Sequence, residues 1–206
     1  MDPTPLFPLS RALYPEGVLH LRIFEIRYLD MIKQCIADQA QFGVVPLLAG
    51  NEVRTPEGKE ILADYGTLAR IEQWDAPMPG LLQLRCVGTT RFRLASSELH
   101  KYGLWVGTIE PLADDPVVPV SEALQPSANM LGRLIADLQQ HQTPGAGLPI
   151  APPFRLDECG WVANRWAELL PLLPPQQRHL LADGDPASRL AQIQDILKRR
   201  NLLGGQ

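Results

Sequence analysis

Residues 23–32 read IFEIRYLDMI, and the reading of this one stretch decides the fold. Ile23 closes a short extended run, GVLHLRI. Phe24, Tyr28, Met31 (or Ile32) and Cys35 then recur at the i, i+4, i+7 and i+11 spacing of one helix face. A strand therefore passes into an amphipathic helix, and the junction carries Glu25, Arg27 and Tyr28. An acid, a base and a tyrosine so close together form either a reaction centre or a fastening. Catalysis needs a nucleophile or convergent acid–base groups, and none accompanies the trio. We read it as a fastening. Glu25 is expected in the first helical turn, on the same side as Tyr28 three residues on and facing Arg91 or Arg93 of a later strand. Arg27 is placed to reach a carboxylate or a backbone carbonyl, and Tyr28 is an amphipathic core anchor. Such an ion pair gives orientation more than stability.

From Leu6 to about Leu112 the rest of the chain around this helix reads as strands. LFPLS and GVLHLRI are extended, since Pro8 and Pro15 exclude a central helix. FGVVPLLAG, YGTLARIEQW, LLQLRCVG, RFRLASSEL and YGLWVGTIEPL follow at the intervals of an all-β barrel or sandwich. In RFRL, Phe92 and Leu94 point one way and Arg91 and Arg93 the other, as in a half-buried antiparallel strand. Gly88 and two threonines before it predict a turn or bulge. TPEGKEI (55–61) reads as a hairpin tip, with Gly58 supplying the permissive backbone.

Beyond PLADDPVVPV the period changes. Leu124, Ala128, Leu131, Ile135 and Leu138 form one helical stripe, and Val162, Trp166, Leu169, Leu170 and Leu173 a second, in a helix starting near Asp157. A third helix begins at Pro174-Pro175 and stops at Gly184. A fourth has Asp185 as N-cap, Pro186 at its first position, and Leu190, Ile193 and Leu197 inside. The expected class is α+β: a β-rich subdomain with one inserted helix over residues 1–118, then a helical subdomain over 119–206 with a Pro/Gly-rich loop at 142–154.

The composition, 45% hydrophobic and 20% charged over 206 residues, is that of an ordinary globular chain able to bury a core. The net charge of −4 argues against phosphate-backbone binding as the main task. Lys198-Arg199-Arg200 closes a helix, where positive charge complements the macrodipole. Cys35, Cys86 and Cys159 are far apart and form no CxxC pair, so they read as buried free thiols of a reducing compartment. The start, MDPTPLFPLS, is no signal peptide, and no apolar run reaches the roughly 18 residues of a membrane span. A cytoplasmic location is expected.

Chemical motifs are missing. The only GK pair, Gly58-Lys59, has Val53 and Glu60 where a phosphate loop needs glycine and a hydroxyl. GxSxG and HExxH do not occur. His20, His100, His141 and His179 stand apart from other ligands. Asp114-Asp115 and Asp157-Glu158 are adjacent pairs better suited to a loop and a helix start than to acid–base work. We expect no catalytic residues, no metal and no cofactor.

Taken in order, FPLS, LYPEGVLHLRIFEIRY, FGVV, GTLARIE, GTTRFR, YGLWVGTIEPL and QQRHLLADGDPASRLAQI resemble the N-terminal substrate-binding domain of the ATP-dependent Lon protease family. The resemblance covers Leu6 to about Leu197. It implies a small PUA-like β-barrel, related to pseudouridine-synthase RNA-binding domains, carrying one helix and followed by a helical subdomain. It also implies a stand-alone, non-catalytic module that holds unfolded or extended polypeptide or a specific partner protein. Glu16 departs from the family's Pro-Gly turn in LYPEGV, so that loop is expected to differ.

Apolar residues in proline-marked loops are the candidates for polypeptide contact: Trp74 and Met78 in WDAPMPGLL, and Phe154 in APPF. The structural set is Glu25, Arg27, Tyr28, Arg91, Phe92 and Arg93. The alternative is an RNA- or small-ligand-binding module. Nucleic acid is not expected as a partner, nor is a membrane, and a homo-oligomer is compatible with the sequence.

Overall fold

A computed structural model describes residues 3–53, 59–141 and 150–203. The chain divides into two compact units, 1–114 with 172–182, and 115–171 with 183–206. Segment 172–182, which helical periodicity groups with the C-terminal half, thus belongs to the first unit.

That first unit contains β1 (Thr4–Leu9), β2 (Val18–Ile23), α1 (Ile26–Asp38), β3 (Phe42–Ala49), β4 (Ile61–Leu62), β5 (Tyr65–Met78), β6 (Leu81–Leu99), β7 (Trp105–Pro111) and α4 (Pro174–Ala182). The strands form one mixed, mainly antiparallel sheet in the order β1-β7-β6-β5-β3-β4, and a parallel pairing joins β1 to β3, the next-to-last strand of that order. It is not a clean barrel. β2 lies off this path and pairs with residues 82–87 of β6, while β7 pairs with 92–99. β6 is therefore shared by two neighbours in succession, with β5 on its other side.

LLQLRCVG and RFRLASSEL, read as two strands, are one. Ala69 stands opposite Gly88 and Thr67 opposite Arg91, so β6 carries an extra residue here and bends instead of ending. Gly88 is required: a Cβ would collide with the carbonyl oxygen of Tyr14, whose loop bonds to Gly88 through Glu16 N at 2.8 Å. Glu16 itself has φ 64°, in the left-handed region that glycine normally occupies, and Gly17 N closes the turn onto Tyr14 O at 2.9 Å. The tip expected at 55–61 lies mostly outside the described residues, although β4 pairs Ile61 with Ala49 and Leu62 with Leu47.

The core follows the two periodicities. Tyr28, Met31, Ile32 and Cys35 of α1 are buried against Phe7, Leu21, Ile23, Phe42, Val44, Leu82, Leu84 and Cys86 from the strands. Phe92 centres a smaller cluster with Leu6, Val45 and Ala63. Phe24, expected on the buried stripe, is 58% exposed, because the helix starts only at Ile26. α4 lies against β3 and β5. It buries Leu180 and Leu181, and its buried Gln177 accepts from Ala12 N at 2.6 Å and donates to Leu172 O at 2.9 Å.

The second unit holds α2 (Gln125–Gln140), α3 (Cys159–Leu169) and α5 (Pro186–Arg199). Asp185 caps α5, accepting from Ala187 N at 2.9 Å and Ser188 N at 3.3 Å, with Pro186 in the first turn. Leu190, Ile193 and Leu197 are fully buried. Ser127 joins α2 to both other helices: its hydroxyl donates to Gln194 at 2.9 Å and its carbonyl accepts from Trp166 Nε1 at 3.0 Å. Leu170 and Leu173 fall beyond α3, and Leu173 is 66% exposed. The loop expected at 142–154 lies largely outside the described residues.

Candidate functional site

The junction between β2 and α1 also forms one side of a cleft. Glu25 sits just before α1 with extended backbone (ψ 135°), outside the first turn where it was expected. From there its carboxylate accepts from Arg27 Nε at 3.0 Å, rather than meeting Arg91 or Arg93. The backbone turn between strand and helix makes this possible, by swinging Glu25 out of helical register. Arg27 is 4% exposed and spreads its guanidinium over several groups. Nη1 reaches Gly103 O at 3.1 Å and Glu60 at 3.4 Å, and Nη2 reaches Glu52 O at 3.4 Å. Glu60 also accepts from Trp105 Nε1. A single buried cation thus ties the start of α1 to three other segments.

Tyr28 is 3% exposed, its ring 4.2 Å from that of Phe7 by centroids. Its hydroxyl is buried and has no hydrogen-bond partner among the described residues. Burial is the main cause that raises its pKa above the usual phenol value. Beside it opens a cleft of about 410 Å³, lined by Phe7 and Leu9 of β1, Leu19 to Arg22 of β2, Phe24, Glu25, Ser10, Arg11, Glu52 and Val53. Phe24 and Val53 stand 58% and 55% exposed on it. An exposed phenylalanine beside a half-open apolar cavity is surface available for contact.

The two arginines of RFRL do different things. Arg91 was expected on the wet face but is 4% exposed, because the end of α4 covers it and takes its Nη1 proton on Leu181 O at 2.9 Å. Arg93 is exposed and pairs with Glu110 of β7, from Nη2 at 2.6 Å.

Trp74 does not end its strand. β5 continues to Met78, and Pro79-Gly80 make the turn to Leu81, with Gly80 at φ 79° as a type II turn requires. Trp74 and Met78 are 54% and 58% exposed. Met78 lines a second hollow of about 370 Å³, with Leu29 and Lys33 of α1 and the hairpin residues Ala76 to Leu82. Phe154 belongs to the other unit, where its ring packs edge-on against Trp161, with centroids 6.3 Å apart.

Reactive groups are few. All three thiols are buried, and burial pushes Cys35 up to about 11 and Cys86 up to about 12, away from the thiolate a nucleophile needs. Among the described residues no three His, Cys, Asp or Glu side chains gather as a metal site, and no helix is long and apolar enough to cross a membrane. Asp115, one of the adjacent carboxylates, pairs with the fully buried Arg189. Sequence reading missed the cleft itself. Its one signal was the apolar residue Phe24 falling just ahead of the helix.

Among the described residues, fold and site together define a mixed α/β binding domain, with a mainly antiparallel sheet, five α-helices and a partly apolar cleft beside α1. The chain belongs to the family of Lon substrate-binding domains: the model described as the ATP-dependent protease La (LON) substrate-binding domain matches residues 3–199. It is similar to a Lon N-terminal domain protein from Xanthomonas campestris, known from a crystal structure. Identity is 33% and the TM-score 0.73, over 95% of this chain and 98% of that one. The N-terminal domain of the Mycobacterium avium complex Lon protease shares the fold, with TM-score 0.57 at 15% identity, over 94% and 97% of the two chains. A comparison with curated proteins finds no match. Domains of this family bind substrate and are themselves non-catalytic.

Proposed function

We propose that this domain holds unfolded or extended polypeptide, or an extended segment of a partner protein, in the cleft beside α1 without transforming it. The observation that carries this reading is the exposed apolar pair Phe24 and Val53 on a cleft whose apolar lining is continued by Phe7, Leu9, Leu19 and Leu21. A volume of about 410 Å³ accommodates a few side chains, not a folded surface. Trp74 and Met78 on the β5–β6 hairpin offer a second apolar contact, and a methionine there adapts to varied sequences. The alternative of an RNA-binding module has the net charge of −4 against it. Three buried free thiols suit a cytoplasmic setting.

The test is binding of a fluorescent, chemically unfolded protein followed by anisotropy. Phe24→Asp should keep the wild-type melting point and weaken binding by more than about 1 kcal/mol, since a charge would be forced into an apolar contact. Equal binding by wild type and variant would remove the cleft as the site. Displacement of the probe by RNA would favour the alternative.

A further inference from the structure

One wall of the cleft is a loose edge of the sheet. Among the described strands β2 pairs only with β6, in an unbroken antiparallel register from Val18 opposite Val87 to Ile23 opposite Leu82. In such a ladder alternate residues turn their N–H and C=O groups toward the partner, and the residues between turn theirs away. On the outer side of β2 these groups meet no hydrogen-bonding partner among the described residues. Proteins commonly blunt an unused edge with proline, a bulge or a very short strand. β2 has six residues, VLHLRI, without proline, and its register has no bulge.

Electrostatics narrow the occupant. Both carboxylates in the cleft lining are engaged, Glu25 with Arg27 and Glu52 with Ser10. Arg22 on β2 and Arg11, two residues beyond β1, are exposed and take no carboxylate among the described residues. The two arginines are therefore the charged groups of the lining open to an incoming carboxylate, although the chain as a whole carries −4. A charge of one sign on an edge selects among incoming strands.

We infer that an extended polypeptide segment adds to β2 as a further strand. Its main chain bonds the loose edge, its apolar side chains enter the cleft, and its carboxylates meet Arg11 and Arg22. This inference rests on the cleft reading above and adds how the chain is held and which chains are preferred. Main-chain bonding gives affinity that is largely independent of sequence, as a holder of varied segments requires, while side-chain pockets and charge give selectivity.

The probe is a short capped peptide alternating leucine with glutamate. A leucine–lysine counterpart and a version N-methylated along the backbone, which removes the amide donors, serve as comparisons. The leucine–glutamate peptide should bind the full-length protein and slow amide hydrogen exchange at residues 18–23. N-methylation should weaken it by about tenfold or more. Arg22→Glu, a change at an exposed position, should lower its affinity about tenfold and improve that of the lysine peptide. Binding unaffected by N-methylation, with no protection of β2, would overturn strand addition. The cleft reading would survive that result if Phe24→Asp still abolished binding. Equal affinity for the two charged peptides would overturn the role of the arginines. Protection of β2 by self-association without peptide would assign the edge to a second copy. No binding by any peptide or unfolded protein would overturn both readings.

Discussion

The guanidinium carbon of Arg27 stands 4.4 Å from the centroid of the Tyr28 ring, so two consecutive residues at the start of α1 share one buried space. A cation over an aromatic face is favourable, more so when both are desolvated. The pair couples the fastening to the cleft: Arg27 holds the junction, and Tyr28 lines the cavity.

Removal of that cation should therefore be costly. Arg27→Ala leaves Glu60 and the Gly103 carbonyl without their charged partner. A loss of about 1–4 kcal/mol is expected, the range for breaking a buried polar network. Urea unfolding of the two proteins measures it. An unchanged midpoint with lost polypeptide binding would make Arg27 a binding residue.

Tyr28→Phe should behave oppositely. The hydroxyl has no partner, so its removal breaks no bond and relieves the burial of an unsatisfied polar group. Stability should stay level or rise by about 1 kcal/mol, read from the thermal midpoint. A clear fall would mean that the hydroxyl is bonded in solution, through a water for instance.

Acid stability should depend on Asp64. Its hydrogen bonds from Arg178 are the main cause holding the carboxyl below its usual value of about 3.9. A depressed folded-state pKa contributes stability that is present above the unfolded value and lost as pH falls through the folded one. Asp64→Asn should therefore flatten the loss of stability below about pH 4 and alter little below the folded pKa. Both partners are nearly half exposed, at 45% and 44%, so added salt should shrink the effect. Melting curves between neutral and acid pH, with and without salt, provide the check.

Met78→Asp tests the hairpin tip. At 58% exposure the change should leave stability within about 0.5 kcal/mol. If the tip is a second contact, binding to an unfolded protein should weaken by more than about 1 kcal/mol. Unchanged binding would confine recognition to the cleft by β2.

Asp185→Ala removes the two bonds that begin α5. A cost of about 1 kcal/mol is expected from thermal melting. Asp185→Asn should restore most of it, because the cap is made by a side-chain oxygen rather than by net charge.

Local chemistry made parts of this molecule legible from sequence. The Asp185-Pro186 start of α5 and the Tyr28, Met31, Ile32, Cys35 stripe of α1 each depend on residues within a turn or two of one another. Hydrophobic periodicity reports such short-range relations directly. The ordered motifs placed the chain in its family for a similar reason, since they mark strand and turn positions that the fold needs.

What the tertiary structure decided lies at longer range. Arg91 alternates with Phe92 like a solvent-facing residue and is buried only because α4, some 90 residues later, covers it. Glu25 turned to Arg27 and not to the RFRL arginines, because the helix begins one residue after it. The cleft and the loose edge of β2 follow from β6 pairing with β2 at 82–87 and with β7 at 92–99, which leaves no strand among the described residues on the far side of β2. Alternation states that a strand has two faces. Which face is covered, and which edge is left unpaired, depends on segments that no local pattern contains.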